Sequence, residues 1–458
     1  MSGKFLNEEL ENHATRLLEE KWGEYLDGID SDVKKAFTAI LLENTDKALK
    51  RMDESTRTVN VGTFTKYIFP VVRAVVPNLI AQDIVSVQPM TGPTSQIFYF
   101  DILYGTSKGQ VSAGQKLFDA QSGPSMIGNT YSSERVDTET DVPSPAFDGV
   151  ATGPFTFTLS FRPVVPRTIV ITVGSVVGQD DGNGHIVGTG ISAGTINYST
   201  GLVSLTFTSA PSAPTTVLAS YTYAVESVDV PELDILLSSL PVTAQKRRLR
   251  ARWSLEAAQD LMALFGIDAD VEVTAAMAEA IKAEIDREVI ADLFAIAPSG
   301  AGTIPTFHTT PGSGISYTEW KLQFIDSLVY GSNAIFKATK RAVGNFVIAG
   351  VDVSSIIETL PGFVPVPGAL NQVGVVKIGT LNARWDIFKD PYITSTNYLV
   401  GHKGSTFLDT GYVYAPYIPL YTTPTVVLDD FLGRKGVGTQ YAKKIVNSRF
   451  YASGNIAP

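Results

Sequence analysis

The stretch RARWSLEAAQDLMALFGIDADVEVTAAMAEAIKAEIDREVI, Arg250–Ile290, decides how this chain folds. It reads as two consecutive helices. Ser254 stands where a short side-chain oxygen can take a free backbone N–H, and Leu255, Ala258, Met262 and Phe265 then recur at helical spacing as a side to be buried. Gly266 follows as the left-handed residue that ends a helix. A second helix starts at about Asp270, with Asp270 and Glu272 near its positive end. Its apolar stripe is Ala278, Ile281, Ile285, Val289 and Leu293, and it runs to about Ala297, where Pro298 and Gly300 stop it. At 1.5 Å rise per residue such a helix spans about 40 Å.

Around this stretch lie 458 residues, more than one hydrophobic core supports, so two or three domains are expected. With 44% hydrophobic and 18% charged residues the chain is globular rather than disordered. A formal net charge of -10 disfavours an exposed nucleic-acid-binding surface, because DNA affinity comes largely from Lys and Arg neutralising phosphates. Cysteine is absent, which excludes disulfides and thiolate metal sites. His13, His185, His308 and His402 are scattered singly and offer little to a metal ion. No apolar run approaches membrane-spanning length, and the N-terminal MSGKFLNEELENHATRLLEEKW is charged throughout, unlike a secretory signal.

Residues 1–58 read as an exposed, acidic helical arm, with Leu17, Leu18 and Trp22, then Val33, Phe37, Ile40 and Leu41 at helical spacing, and with Asp30 or Ser31 as a cap. Residues 59–141 hold β-type segments near Ile84–Val87 and Ile97–Leu103, then a polar loop from Gly105. Residues 142–228 are almost free of charge and alternate strictly. Phe155, Phe157, Leu159 and Phe161 share one side of a strand, as do Val203, Leu205 and Phe207, and Val217, Ala219, Tyr221 and Tyr223. Several such strands between Gly, Pro and Asn turns predict a small inserted β-sandwich or barrel. Residues 229–316 contain the two helices. Residues 317–424 alternate helix and strand, which predicts a mixed sheet with flanking helices, and 425–458 return as a strand pair.

Three segments carry a resemblance. VRAVVPNLIAQDIVSVQPMTGPTSQIFYF (Val72–Phe100) resembles a PNLIA-x-D…VQPM…PTGQ-like block of the major capsid proteins of T-even-type tailed phages. SLEAAQDL…GIDAD is similar to the SIELAQDL…GMDAD helix pair of that family, and DTGYVYAPYIPL (Asp409–Leu420) resembles its D-x-G-x-Y-Y-A-P-Y-x-x-L segment. RKGVGTQYAKKIV matches a G-x-x-T-R-Y-G-like ending only loosely. The resemblance implies an α+β chain with the Hong Kong 97-type capsid fold: a long spine helix on a sheet, a mixed α/β axial domain, and here an inserted all-β domain. It implies a major capsid protein that self-assembles into an icosahedral head shell around double-stranded DNA, without sequence-specific DNA binding, without a cofactor and without a membrane. Its partners would be copies of itself in hexamers, and in pentamers unless a separate vertex protein exists, with scaffold and decoration proteins as further candidates. It would act in the virion shell after assembly in the bacterial host cytoplasm. The loop after Gly105 would reach over a neighbouring subunit, and the inserted domain would face outward. In that family a protease cuts after Glu in a short apolar-x-Glu motif, which Met52-Asp53-Glu54 fits.

Chemical motifs are few. GISAG (Gly190–Gly194) matches G-x-S-x-G, but TINYSTGLVSLTF after it is strand sequence, so Ser192 reads as a turn serine rather than a nucleophile. Asp180-Asp181-Gly-Asn183-Gly begins like a calcium loop but has Ser192 where the bidentate Glu belongs, which favours a tight hairpin turn. Gly188-Thr-Gly190-x-x-Ala193 is a fragment of a dinucleotide fingerprint without the helix that would hold a pyrophosphate. The basic run Lys246, Arg247, Arg248, Arg250 and Arg252 admits three readings: a solvated face, an inter-subunit contact with carboxylates of the next copy, or a DNA contact. Two other functions stay open beside the shell: a vertex protein of the same fold, and a β-rich glycan- or receptor-binding module in the virion.

Overall fold

The computed structural model describes residues 15–22, 26, 32–55, 79–109, 111–117, 131–141, 145–213, 215–224, 230–312, 314, 316–367, 374–404, 409–427 and 432–457. The chain divides into two units, Met1–Phe100 with Leu237–Pro458, and Asp101–Leu236. Among the described residues no helix is long and apolar enough to cross a membrane.

Near the N-terminus, α1 (Asp32–Ser55) is not part of the exposed arm expected for residues 1–58. Ala36, Ala39, Ile40, Leu41 and Leu42 are buried, in the same core as Leu17 and Trp22. The run AFTAILL is apolar on nearly every side, so its helix needs protein around it. Asn44 fixes the position by donating from Nδ2 to the carbonyls of Met90 and Tyr417, at 3.0 and 3.1 Å. Asp30 and Ser31, the expected caps, lie outside the described residues. Glu54 is on the last turn of α1, and its side chain lies outside them too.

The short α2 (Ala81–Ile84) leads into the first sheet of this unit. Its strand order is β1 (Ser86–Val87), β20 (Tyr412–Thr422), β22 (Leu432–Ile445) and β12 (Gln245–Ser254), with β21 (Val426–Val427) also on β22. β1 is parallel to β20; the other pairs are antiparallel. β12 is therefore an edge strand. It runs directly into α3 (Leu255–Phe265), whose N-cap is Ser254, accepting from the Ala257 N–H at 3.2 Å. Gly266 ends α3 at φ 67°, a left-handed conformation that costs glycine nothing.

Asp268 caps α4 (Ala269–Ile296), the long helix, through the Asp270 N–H at 2.9 Å. α4 packs on β12, β22 and β20. Ala278, Ile281, Ile285, Val289 and Leu293 are all buried, and each large one contributes roughly 1.5–3 kcal/mol by leaving water. α3 behaves differently. None of its residues is buried, so Leu255, Ala258, Met262 and Phe265 do not reach the core that their spacing predicts.

A second, eight-stranded sheet has the order β13 (Gly302–Thr303), β23 (Tyr451–Ala457), β19 (Asn397–Gly401), β15 (Phe346–Ala349), β18 (Trp385–Lys389), β17 (Val376–Leu381) and β16 (Phe363–Pro365), with β14 (Phe307–His308) also on β23. It is mixed, β15 lying parallel to β18 and antiparallel to β19. α5 (Tyr317–Thr339) and α6 (Val351–Ile357) pack on it, with Trp320, Phe324 and Leu328 in the shared core. The C-terminal strands do not form the expected pair. β22 belongs to the first sheet and β23 to the second, because the short 3-10 turn Ser448–Phe450 redirects the chain between them.

The ribbon of β2 (Thr94–Tyr104) and β11 (Leu233–Thr243) links the units in sequence. In Asp101–Leu236, one sheet has the order β3 (Arg135–Asp141), β10 (Val217–Thr222), β5 (Val170–Val173), β6 (Val176–Asp180) and β7 (Ile186–Val187). The other has β4 (Phe155–Thr158), β9 (Leu202–Phe207) and β8 (Ile191–Asn197). Their inward residues, including Phe155, Phe157, Val203, Leu205, Ala219 and Tyr221, share one core, which makes the unit a sandwich. It takes in more chain than the expected 142–228, since β3 supplies an edge strand. Lys108, on the polar loop, is buried in it. Its Nζ donates to the carbonyls of Tyr131 and Ser133 and to the Tyr223 hydroxyl, and burial lowers its pKa.

Candidate functional site

Strand alternation splits the basic run. Lys246, Arg248, Arg250 and Arg252 occupy even positions of β12 and are exposed, two residues or roughly 6.6 Å apart. Arg252 pairs in register with Arg434 on β22, which adds a fifth cation to that side of the sheet. Arg247 points the other way, toward α4, so the five residues do not make one surface. Its guanidinium donates to Glu284 at 2.9 Å, to Glu288 at 2.7 Å and to the Tyr441 hydroxyl at 2.7 Å.

Arg247 is one member of a network between the long helix and the first sheet. Glu284, Glu288 and Asp292 stand four residues apart on α4, hence on one side of it. Tyr441 donates its hydroxyl to Glu288, Lys443 pairs with Glu288 at 2.8 Å and with Asp292 at 2.6 Å, and Tyr412 donates to Asp292 at 2.7 Å. Partial burial opposes ionisation of Glu288, but hydrogen bonds from Lys443, Tyr441 and Arg247 outweigh it and hold its pKa below the usual carboxylate range. Arg247 is likewise shifted upward, its partial burial outweighed by Tyr441 and Glu288. Nearer the start of α4, Lys435 pairs with Asp270 at 2.9 Å. The sequence signal for this network was the acidic repeat at 284, 288 and 292, which reads from sequence as a plain solvated helix side.

The chemical motifs resolve as backbone structure. Ser192 lies on β8 rather than on a strand-to-helix turn, and its hydroxyl donates to the Thr206 carbonyl at 3.2 Å. Asp180 accepts from the Gly182 N–H and the Tyr198 hydroxyl, and Asp181 accepts from the N–H groups of Asn183 and His185. These carboxylates close a hairpin turn. Among the described residues no group of three or more His, Asp or Glu side chains converges as a metal site.

What the geometry offers is therefore surface: a cationic stripe on an edge strand, and an uncovered helix beside it. The chain is 27% identical over 381 residues to the Major capsid protein of Vibrio phage KVP40, covering 77% of this chain and 70% of that one. It is 27% identical over 378 residues to the Major capsid protein of Enterobacteria phage T4, with the same coverage of 77% and 70%. Among solved structures it is similar to the capsid of Myoviridae Phage XM1, at 11% identity and a TM-score of 0.33, over 51% of this chain and 80% of that one. The profile of one family matches residues 61–457, most of the sequence, and the chain belongs to that family, Major capsid protein Gp23.

Proposed function

We propose that this chain is the major capsid protein of a tailed phage, assembling with itself into the icosahedral head shell that encloses the double-stranded DNA genome. The match of the Major capsid protein Gp23 family over residues 61–457 carries this reading. The architecture supports it, with a long helix across a sheet, a mixed second sheet and an inserted β-sandwich, as in the Hong Kong 97-type fold. Shells of this kind gain their stability from many modest interfaces repeated under closed symmetry. The net charge of -10 suits a wall that encloses DNA without adhering to it.

Finer features belong to the same reading. Copies form hexamers, and pentamers where no separate vertex protein takes that place. A scaffold guides assembly in the host cytoplasm, and decoration proteins bind the finished shell. Lys246, Arg248, Arg250 and Arg252 contact a neighbouring copy, while Arg247 is engaged within the chain. A maturation protease cuts after Glu54.

The test is electron microscopy with sedimentation of the full chain, expressed alone and with its scaffold. Shells, tubes or six-membered rings support the reading; five-membered rings alone assign a vertex role. A monomer under both conditions overturns it. Mass spectrometry of shells from infected cells tests the cut, which predicts a mature chain beginning at Ser55.

A further inference from the structure

Among the described residues, α3 carries an apolar surface that the chain's own fold does not cover. Met262, Leu264 and Phe265 on α3 are 60%, 75% and 68% exposed, although their helix is as apolar as many core helices. An exposed apolar patch of this kind, bordered by charge, marks a contact with another protein. Charges of both signs lie on α3 and on the strand that leads into it. The stripe Lys246, Arg248, Arg250 and Arg252 precedes α3 in the chain. Glu256 and Asp260 are exposed on α3 itself, four residues apart and so on one side of it. Among the described residues none of these six charges forms an ion pair with another part of the chain.

We propose that α3 and the outward side of β12 form a contact between two copies of this chain, with the apolar side of α3 at its centre and Glu256 and Asp260 of one copy meeting the cationic stripe of the other. The proposal rests on the shell-building reading and names the surface through which copies meet. A second copy is favoured as occupant because each chain carries both the acids and the cations, so copies complement one another without any third protein. DNA fits poorly. The carboxylates of α3 would repel phosphates, and exposed Met262, Leu264 and Phe265 offer a duplex backbone nothing.

The experiment uses charge reversal and rescue in the full chain. Arg248→Glu with Arg250→Glu, and separately Glu256→Lys with Asp260→Lys, are each expected to cut the assembled fraction at least tenfold at low salt. The combined four-residue variant recovers most of it, because opposite charges face each other again. Met262→Lys with Phe265→Lys blocks assembly and leaves the unfolding midpoint of the free chain unchanged, since no residue of α3 is buried in it. Sedimentation of the concentrated free chain adds a readout that needs no shell: pairwise self-association that the Met262→Lys, Phe265→Lys variant loses. Shells that form equally well from all variants overturn this surface and leave the shell-building reading intact. Pairwise association that depends on α3, without shells, tubes or rings either alone or with scaffold, supports the surface and overturns that reading. Absence of both overturns both.

Discussion

α3 and α4 are consecutive helices separated by Gly266, Ile267 and Asp268, and they make opposite use of the same pattern. Each has a side-chain N-cap and an apolar stripe at helical spacing. α4 buries its stripe against the first sheet, and α3 buries no residue at all. Periodicity states that a stripe must be covered; it does not state which molecule supplies the cover. Adjacent cations on β12 repeat the lesson at single-residue scale. Arg247 finds Glu284 and Glu288 within the chain, while Arg248, one position on, faces outward.

The largest effect should come from the α4 stripe. Leu293 is fully buried in the core that α4 shares with both sheets of its unit, so Leu293→Ala removes transfer energy and leaves a cavity, costing about 2–5 kcal/mol. Denaturant unfolding followed by tryptophan fluorescence measures this unit selectively. Trp22, Trp253, Trp320 and Trp385, the four tryptophans of the chain, all lie in Met1–Phe100 with Leu237–Pro458. A loss below about 1 kcal/mol would erase the distinction between the two helices.

A second α4 residue makes the comparison depend on pH. Burial pushes the Asp286 carboxyl up to about 7, against the pull of Lys282 and the Ala81 and Ile80 N–H groups and with repulsion from Asp390 adding to it. The folded pKa lies above the ordinary value of 3.8, so the favourable contribution of the neutral acid is complete below that value and is lost as pH rises through about 7. Asp286→Asn keeps the shape and removes the charge. It should stabilise the chain at pH 8 by up to about 4 kcal/mol, and by much less at pH 4, in chemical unfolding at the two pH values. An Asn variant with the same pH dependence as the parent would show that Asp286 does not titrate in this range.

The next effect sharpens the split within β12. Arg247→Ala breaks charge-assisted hydrogen bonds to Glu284 and Glu288 and leaves Tyr441 with one partner fewer. Because the Arg247 side chain is 30% exposed, the cost should be about 1–2 kcal/mol rather than that of a fully buried pair. Arg248→Ala, on the outward side, should stay within about 0.5 kcal/mol. Equal losses for the two variants would mean that Arg248 has a partner within the chain.

Much of this is legible in the sequence. The β-sandwich was readable because a two-residue period leaves no doubt about which side of a strand is wet: Phe155, Phe157, Leu159 and Phe161 are buried and Thr158, Ser160 and Arg162 are not. The caps at Ser254 and Gly266 were readable because each follows from local backbone chemistry. Illegible features depend on distant chain. α1 reads as an exposed arm until Asn44 is seen bonded to the Met90 and Tyr417 carbonyls. β22 and β23 read as a pair until β12 and β19 are seen to claim them separately. The run from Lys246 to Arg252 reads as one patch because composition ignores strand alternation, and the acids that bind Arg247 lie more than thirty residues further along.

The smallest effect is the one that tests what α3 is for. Phe265→Ala removes a large aromatic side chain, and in a core that substitution costs about 3–5 kcal/mol. Here Phe265 is 68% exposed in the free chain, so no comparable cavity forms and little transfer energy is lost. Unfolding of the free chain should shift by no more than about 0.5 kcal/mol. The same substitution in assembled particles should lower their resistance to denaturant, because there the ring leaves water against another copy. A large loss in the free chain would mean that α3 is covered in solution by its own chain, and the contrast with α4 would then lie in conformation rather than in assembly.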